Sequence, residues 1–247
     1  MKISLGGDVV QYLGVVGFLK ALDEAGFNDY QINCSGFSCI PALLWLYNKK
    51  TAYNIIARMW EECFKTFPSA STLSLNELSK SFSMLLKMQK RIDFATSKEK
   101  LMEFADKWIP EINITSLENL DIYAYNLTEN KEEKLFGSSK EVIVKAIAYP
   151  LDFSPIDSYI SLSWVVGIPN GDVIIYLSWE KSLYPQRATD YLLLSTFART
   201  FELVKQKSME AKVYLEVNLK NFRDISTVSK RFYDCGLKLL DLIITTK

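Results

Sequence analysis

The hydrophobic pattern of the first fifty residues alternates between short strand-like segments and longer helix-like ones. Residues 2–6 have Ile3 and Leu5 as apolar positions and lead into the Gly6–Gly7 pair, which predicts a strand and a turn. Apolar residues recur at helical spacing over 13–22, and Gly26 is placed to end that helix. Residues 30–34 alternate apolar with polar, which predicts a second strand. The apolar segment 41–47 predicts a second helix, with a proline in its first turn.

Two strand-turn-helix units in succession predict an α/β fold, in which helices cover a parallel sheet. Strands near 2–6 and 30–35 are therefore expected to be parallel neighbours. Functional sites in such sheets gather at the carboxyl ends of the strands. The Gly6–Gly7 turn and the turn around Ser38 should lie there, side by side.

The rest of the chain continues with helical and strand-like patterns. Residues 50–110 carry helical patterns with polar joints, including a capping box over 74–77 at the start of a helix that runs through Leu86. The apolar run 82–88 is expected to be ordinary core, with a lipid-facing cap as the alternative. Residues 211–217 predict a late strand.

Composition restricts the class of protein. The 247 residues, 49% apolar and 23% charged, are typical of a globular protein with a substantial core. A formal net charge of zero predicts no general affinity for nucleic acid or acidic membranes. No apolar run reaches 18 residues and the first residues do not resemble a signal peptide, so we expect a cytoplasmic protein without a transmembrane segment. Its four cysteines lack zinc or redox spacing, so we expect reduced core thiols and no metal or cofactor.

The chain contains no histidine. This absence removes Ser-His-Asp and Cys-His catalysis and all imidazole acid-base chemistry. A hydrolytic mechanism would therefore need a carboxylate, a lysine or water as its base.

One turn nevertheless carries a candidate nucleophile. Gly36-Phe37-Ser38 lies between the second strand and its helix, and it fits G-x-S-x-G except that Ile40 replaces the last glycine. A serine in such a turn is expected to be exposed, held by backbone strain, and close to a helix N-terminus that favours negative charge. The alternative is a serine that only caps the helix.

Both turns and their helices resemble the patatin-like phospholipase family. Residues 17–26 match the family's first helix, G-V-L-K-A-L-E-E-A-G, nearly residue for residue. Residues 36–47 overlay its nucleophile segment, G-T-S-A-G-A-I-V-A-A-L-Y, without a gap and place Ser38 on the nucleophile; another register places Gly36 there. The likeness continues over 121–131 and 142–155. It implies a three-layer α/β/α fold with a mostly parallel central sheet, residues 1–247 forming a single domain with a cap-like helical segment at about 50–110.

The resemblance weakens at the residues that carry the family's chemistry. The family hydrolyses lipid acyl esters with a Ser-Asp dyad, and its aspartate lies in a D-G-G or D-G-A motif that this chain lacks. Alignment places Ser161 on that aspartate. Asp157 and Asp172 are the nearby candidate bases, with surface-turn aspartates as the alternative.

The glycine loop that stabilises the oxyanion in the family also departs from the pattern. Its counterpart here comprises Gly6, Gly7 and Asp8, with Asp8 and Val9 on family glycines and Gln11 on the family's basic residue. A β-branched valine resists the positive φ that glycine allows, and an aspartate opposes developing negative charge.

The sequence keeps the family's fold pattern but departs from it at the catalytic residues. This combination predicts a catalytically impaired patatin homologue that serves as a lipid- or acyl-binding protein or as a scaffold. The alternative is an active lysophospholipase or esterase that uses Ser38 with a non-standard base. An apolar cleft beside Ser38 is expected, with walls from Phe37, Ile40, Trp45 and the 82–88 run, able to hold an acyl chain.

Overall fold

The structure is a computed structural model, which describes residues 1–7, 9–71, 94–178, 188–219 and 224–245. The predicted capping box at 74–77 and the apolar run 82–88 lie outside these residues. The strands are β1 (Lys2–Leu5), β2 (Gln31–Ser35), β3 (Leu120–Asn126), β4 (Lys131–Lys134), β5 (Tyr159–Ser161), β6 (Val173–Ser178) and β7 (Val213–Asn218). The α-helices are α1 (Val15–Glu24), α2 (Cys39–Tyr47), α3 (Lys49–Thr66), α4 (Phe94–Trp108), α5 (Ser139–Ala146), α6 (Leu162–Val165), α7 (Ala188–Glu210) and α8 (Ile225–Thr245). Within the described ranges, no helix is both long and apolar enough to cross a membrane.

The strands form one sheet in the order β4-β3-β2-β1-β6-β7, and β5 also pairs with β3. β1 is parallel to β2 on one side and to β6 on the other, and the pairs β2–β3 and β6–β7 are parallel too. Only β4 and β5 run antiparallel to their neighbour among the described strands. The predicted fold class, a mostly parallel sheet flanked by helices, and the parallel pairing of the first two strands are confirmed.

The two faces of the sheet differ in polarity. Ile3, Ile32 and Leu120 stand in register on one face, which belongs to the main apolar core beneath α1 and α8. Ser4 and Asn33 stand in register on the other face. There a smaller apolar cluster joins α7 to the sheet through Ile168, Ile174, Tyr176 and Val204.

Helices α1 and α8 pack together at backbone distance because glycines line their contact. A Cβ atom on Gly17 would lie 1.9 Å from the carbonyl oxygen of Ser229 on α8. A Cβ atom on Gly236 would lie 3.0 Å from the carbonyl oxygen of Phe18 on α1. Larger residues at these positions would push the two helices apart.

β5 determines what faces the end of β2. One edge of β3 pairs with β4 over residues 123–126. On its other edge, Tyr123 pairs with Ser35 of β2, and the next residue, Ala124, pairs with Ser161 of β5. β5 therefore continues along the edge of β3 where β2 stops. This arrangement brings the segment from Ser161 into α6 against the turn that follows β2.

Candidate functional site

The turn after β2 has its strained residue at Gly36. Gly36 has φ +61°, in the left-handed region, whereas Ser38 has φ −65° and ψ −20° and lies in the first helical turn. The expectation of an exposed serine at the apex is wrong, because Ser38 is 0% exposed. The backbone agrees with the alternative register, in which Gly36 takes the place of the family's nucleophile.

The two glycine turns touch each other, as expected from the topology. The N–H of Phe37 donates to the carbonyl oxygen of Gly7 at 2.9 Å. A Cβ atom on Gly36 would lie 2.1 Å from that same oxygen, and one on Gly7 would lie 1.9 Å from the Ser35 carbonyl oxygen. Glycine is therefore required on both sides of this contact, for space at Gly7 and for both space and backbone angle at Gly36.

The Ser38 hydroxyl is bonded to backbone. Its Oγ lies 2.9 Å from the carbonyl oxygen of Ser35 and 3.3 Å from that of Leu5, and it donates to this pair. No carboxylate of the described residues is within hydrogen-bond distance of it. The proton that a general base would have to remove is held by two acceptors that are too weakly basic to take it.

Asp172 lies at the opposite end of the sheet from Ser38. It precedes β6, whose Val173 pairs with Ile3, so it lies level with the beginning of β1. Its carboxylate accepts the backbone N–H of Lys2 at 2.8 Å and pairs with Lys212 at 3.1 Å. The Lys2 amide, followed by the Lys212 ammonium, lowers the pKa of Asp172. β1 separates the two ends by three residues, about 10 Å of strand.

Asp157 lies at the same edge of the sheet as Ser38 but further out. Tyr159, two residues later, pairs with Asn126 at the end of β3. The Asp157 carboxylate pairs with Lys98 at 2.9 Å and with Lys145 at 3.6 Å. The hydrogen bond from Lys98 is the main cause that lowers its pKa, which makes it a weaker base. The structure brings neither predicted aspartate to Ser38.

Serine hydroxyls occupy the place where the family alignment expects an aspartate. Ser161 is 1% exposed, and its Oγ has no hydrogen-bond partner in the part of the chain that the structure describes. Two residues later, the Ser163 hydroxyl shares a 2.7 Å hydrogen bond with that of Ser35. Sequence reasoning missed this pair, because only the alignment of β5 with the end of β2 brings the two serines together.

The backbone amides that could stabilise an oxyanion are already bonded within the turn. In hydrolases of this kind, the amide after the nucleophile is one of the oxyanion donors. With Gly36 in the nucleophile's place that amide belongs to Phe37, which donates to Gly7. With Ser38 there it belongs to Cys39, whose N–H is directed at the carbonyl oxygens of Gly36 and Phe37. Neither register leaves this donor free.

The glycine loop is covered by its own chain. A Cβ atom on Gly6 would lie 2.8 Å from the Tyr12 hydroxyl, which accepts the N–H of Leu177 at 2.8 Å. Gln11, on the family's basic position, is 2% exposed and donates to the Ser71 carbonyl oxygen at 3.2 Å. Asp8 lies outside the described residues.

An aromatic cluster fills the space next to the turn. Phe37 packs edge-on against Phe67 with ring centres 4.9 Å apart. Phe67 in turn contacts Phe104 and Phe153, each at 5.3 Å. Phe37 and Ile40 are therefore core residues, and the part of the predicted cleft that rests on 82–88 lies outside the described residues. Trp45 lines a separate cavity on the helical side.

Asp152 fixes the cover over this region, and no sequence motif indicated it. Its carboxylate accepts the backbone N–H of Ser69 at 3.0 Å and of Ala70 at 3.1 Å. The Ala70 carbonyl oxygen accepts the N–H of Val10, next to the glycine loop. Burial raises the pKa of Asp152, although these hydrogen bonds oppose the shift. Across the described residues, no three His, Cys, Asp or Glu side chains gather as metal ligands.

Comparisons with known proteins support the fold and little more. No family model and no curated protein matches the chain. The structure is similar to the crystal structure of VipD from Legionella pneumophila, with a TM-score of 0.52 and 12% sequence identity. The match covers 97% of this chain and 66% of VipD, which has a patatin-like phospholipase domain. At this identity the likeness establishes a patatin-like fold and leaves the chemistry open.

Proposed function

We propose that this protein is a patatin-like homologue that has lost serine acyl hydrolysis at the Ser38 turn and serves as a lipid- or acyl-binding protein or as a scaffold. The observation that carries the proposal is the state of the Ser38 hydroxyl, which is buried and donates to backbone carbonyl oxygens. A serine becomes a nucleophile when an adjacent base accepts its proton. Here no carboxylate among the described residues is positioned to do so.

The second support comes from the electrostatics of the turn. An oxyanion needs preorganised donors that are free to meet the developing charge. The amides of Phe37 and Cys39 are directed at carbonyl oxygens of the turns themselves. Breaking the bond from Phe37 to Gly7 to make room for substrate would remove the hydrogen bond that joins the two glycine turns.

The third support comes from access. Gly7, Gly36 and Ser38 are all buried, and the Phe37–Phe67 pair lies directly beside them. Ring centres at 4.9 Å leave no space between the two side chains for an ester. An acyl group would have to displace aromatic core to reach the hydroxyl.

The test is an esterase assay on short p-nitrophenyl esters, with fluorophosphonate labelling as a second readout. Loss of the base costs a serine hydrolase on the order of 10⁴ in rate, and an unformed oxyanion site removes more. We expect wild type, Ser38→Ala and the matched buried-serine variant Ser163→Ala to give the same near-background turnover, without labelling. Turnover above blank that disappears only in Ser38→Ala would overturn the proposal, and Asp157→Asn and Asp172→Asn would then identify the base.

The binding half of the proposal is tested separately from the catalytic half. A ligand at a hundred times its Kd stabilises a folded protein by about 2.7 kcal/mol. Dodecanoate at such a concentration should therefore raise the melting temperature of the wild type by several degrees. If neither dodecanoate nor longer fatty acids stabilise the protein, the proposed lipid- or acyl-binding role is refuted and only the scaffold role stands.

A further inference from the structure

A groove of about 620 Å³ lies among the helices that cover the apolar face of the sheet. Its lining comes from α1, the end of α2, the beginning of α3 and the first half of α8, and we call it the lysine groove. Its volume falls within the range of about 300–1,000 Å³ that is usual for small-molecule sites. Ser38 does not line it.

The floor of the lysine groove is apolar and belongs to the core. Val16 and Trp45 are 1% and 5% exposed, so their lining surfaces are edges of the core. Gly17 holds α1 against Ser229 of α8 at backbone distance, which fixes one wall. Tyr53 of α3 is 38% exposed and supplies an aromatic side wall. Such a surface matches a flexible hydrocarbon chain.

Both acidic side chains that line the groove are paired. Asp23 forms an ion pair with Lys49. Glu24 pairs with Lys20 at 3.6 Å and accepts a hydrogen bond from the Tyr233 hydroxyl at 2.6 Å. Neither carboxylate therefore remains to neutralise the other cations of the rim.

Two lysines of the rim keep uncompensated charge. Lys50 and Lys230 line the groove, and neither forms an ion pair with another described residue. Asp224, just before α8, accepts hydrogen bonds from the hydroxyls of Ser226 and Thr227. The lining thus carries four lysines against two acids, an excess of two positive charges.

We propose that the lysine groove binds a single-chain alkyl phosphate. The hydrocarbon chain lies along Tyr53 and over the narrow exposed edge of Trp45, and the phosphate lies between Lys50 and Lys230. A phosphate monoester carries about −1.5 to −2 charge at pH 7, which balances both ammonium groups, whereas a carboxylate balances only one. This site lies apart from Ser38, and it rests on the proposed function only for the expectation that the protein binds apolar chains.

The probe is octyl phosphate, measured by isothermal titration calorimetry against inorganic phosphate, octan-1-ol and octanoate. We expect octyl phosphate to bind at least tenfold more tightly than each of the other three, because only it combines a chain with a dianionic head group. Inorganic phosphate binding equally well would reduce the site to an ion site, and octanoate binding equally well would refute the choice of phosphate. Absence of octyl phosphate binding would overturn the proposal.

Variants locate the site. Lys50→Gln with Lys230→Gln should weaken octyl phosphate binding tenfold or more, whereas the matched pair Lys65→Gln with Lys100→Gln, which removes the same charge elsewhere, should leave it unchanged. Equal losses in the two double variants would show nonspecific charge attraction and refute the groove.

A tyrosine pair tests the hydrocarbon chain. Tyr53→Ala should weaken octyl phosphate several-fold, and Tyr47→Ala, at an exposed tyrosine outside the groove, should not. An unchanged affinity in Tyr53→Ala would show that the hydrocarbon chain of octyl phosphate does not contact Tyr53. None of these variants should alter the esterase background, so failure of this inference and failure of the proposed function give different results.

Discussion

The two ends of the central strands are held by different kinds of contact. At the carboxyl ends of β1 and β2, the chain turns by pressing Gly7 against Gly36 inside the core. At the amino end of β1, Asp172 instead accepts the Lys2 amide and pairs with Lys212, which lies just before β7. The carboxyl end therefore depends on close backbone packing, and the amino end depends on hydrogen bonds and an ion pair to a carboxylate.

This difference teaches where the molecule can tolerate change. A buried backbone contact has no room to relax, so an added methyl group displaces main chain. A solvated carboxylate has water as an alternative partner, so its loss costs little. The end of the sheet where the family performs chemistry is, in this chain, the less adaptable one.

Gly36→Ala should have the largest effect. The new methyl group would meet the Gly7 carbonyl oxygen at 2.1 Å and would force alanine into positive φ, so we expect a loss of about 4 kcal/mol or more, or failure to fold. Gly26→Ala is the matched control, since Gly26 has φ +70° with nothing within 4 Å, and it should lose only about 1 kcal/mol. Similar losses in urea unfolding would contradict the role of the glycine contact.

Asp152→Asn should have an intermediate effect at the same end. An amide has one acceptor oxygen where the carboxylate presents two, so its NH₂ group would face the N–H of Ser69 or Ala70. An unsatisfied buried donor costs about 1–3 kcal/mol, and we expect a loss in that range at pH 7. Chemical denaturation measures it, and a loss below about 0.5 kcal/mol would mean that the cover over the glycine loop is held by other contacts.

Asp172→Asn, at the amino end, should have the smallest effect, below about 1 kcal/mol at pH 7. Because the pKa of Asp172 is lowered in the folded protein, its stabilisation is complete above the unfolded pKa of about 3.9 and is lost as pH falls through the lower folded pKa. The difference from wild type should therefore vanish in the most acidic part of an unfolding series. A difference that grows on acidification would have the wrong sign, and Glu118→Gln controls for the loss of one exposed charge.

The fold could be predicted because its signals are local. The helix ending before Gly26 and the strand ending at Ser35 follow from periodicity and glycine placement within a dozen residues. The late strand also lies close to where its pattern placed it, over Val213–Asn218.

The candidate site could be predicted only as a location. The two glycine turns were expected to lie side by side, and they do. Local sequence does not show whether Gly36 or Ser38 is the turn residue, because the pairing of Ser35 with Tyr123 decides where β2 ends. Asp172 falls at the wrong end because β6 follows it in parallel to β1. Proximity in sequence to the family's aspartate could not reveal either fact.

The place of β1 in the middle of the sheet has a consequence for the order of folding. Leu5 pairs with Cys34 across 29 residues but with Ile175 across 170, and α1 completes its packing only against α8, beyond residue 224. Closing such long loops is slow, because their entropy is lost before the contacts form. During synthesis at about 5–20 residues per second, the first helix would therefore wait some ten seconds or more for its partner, with its apolar face uncovered. The uncovered apolar face makes the growing chain most prone to aggregation during that interval.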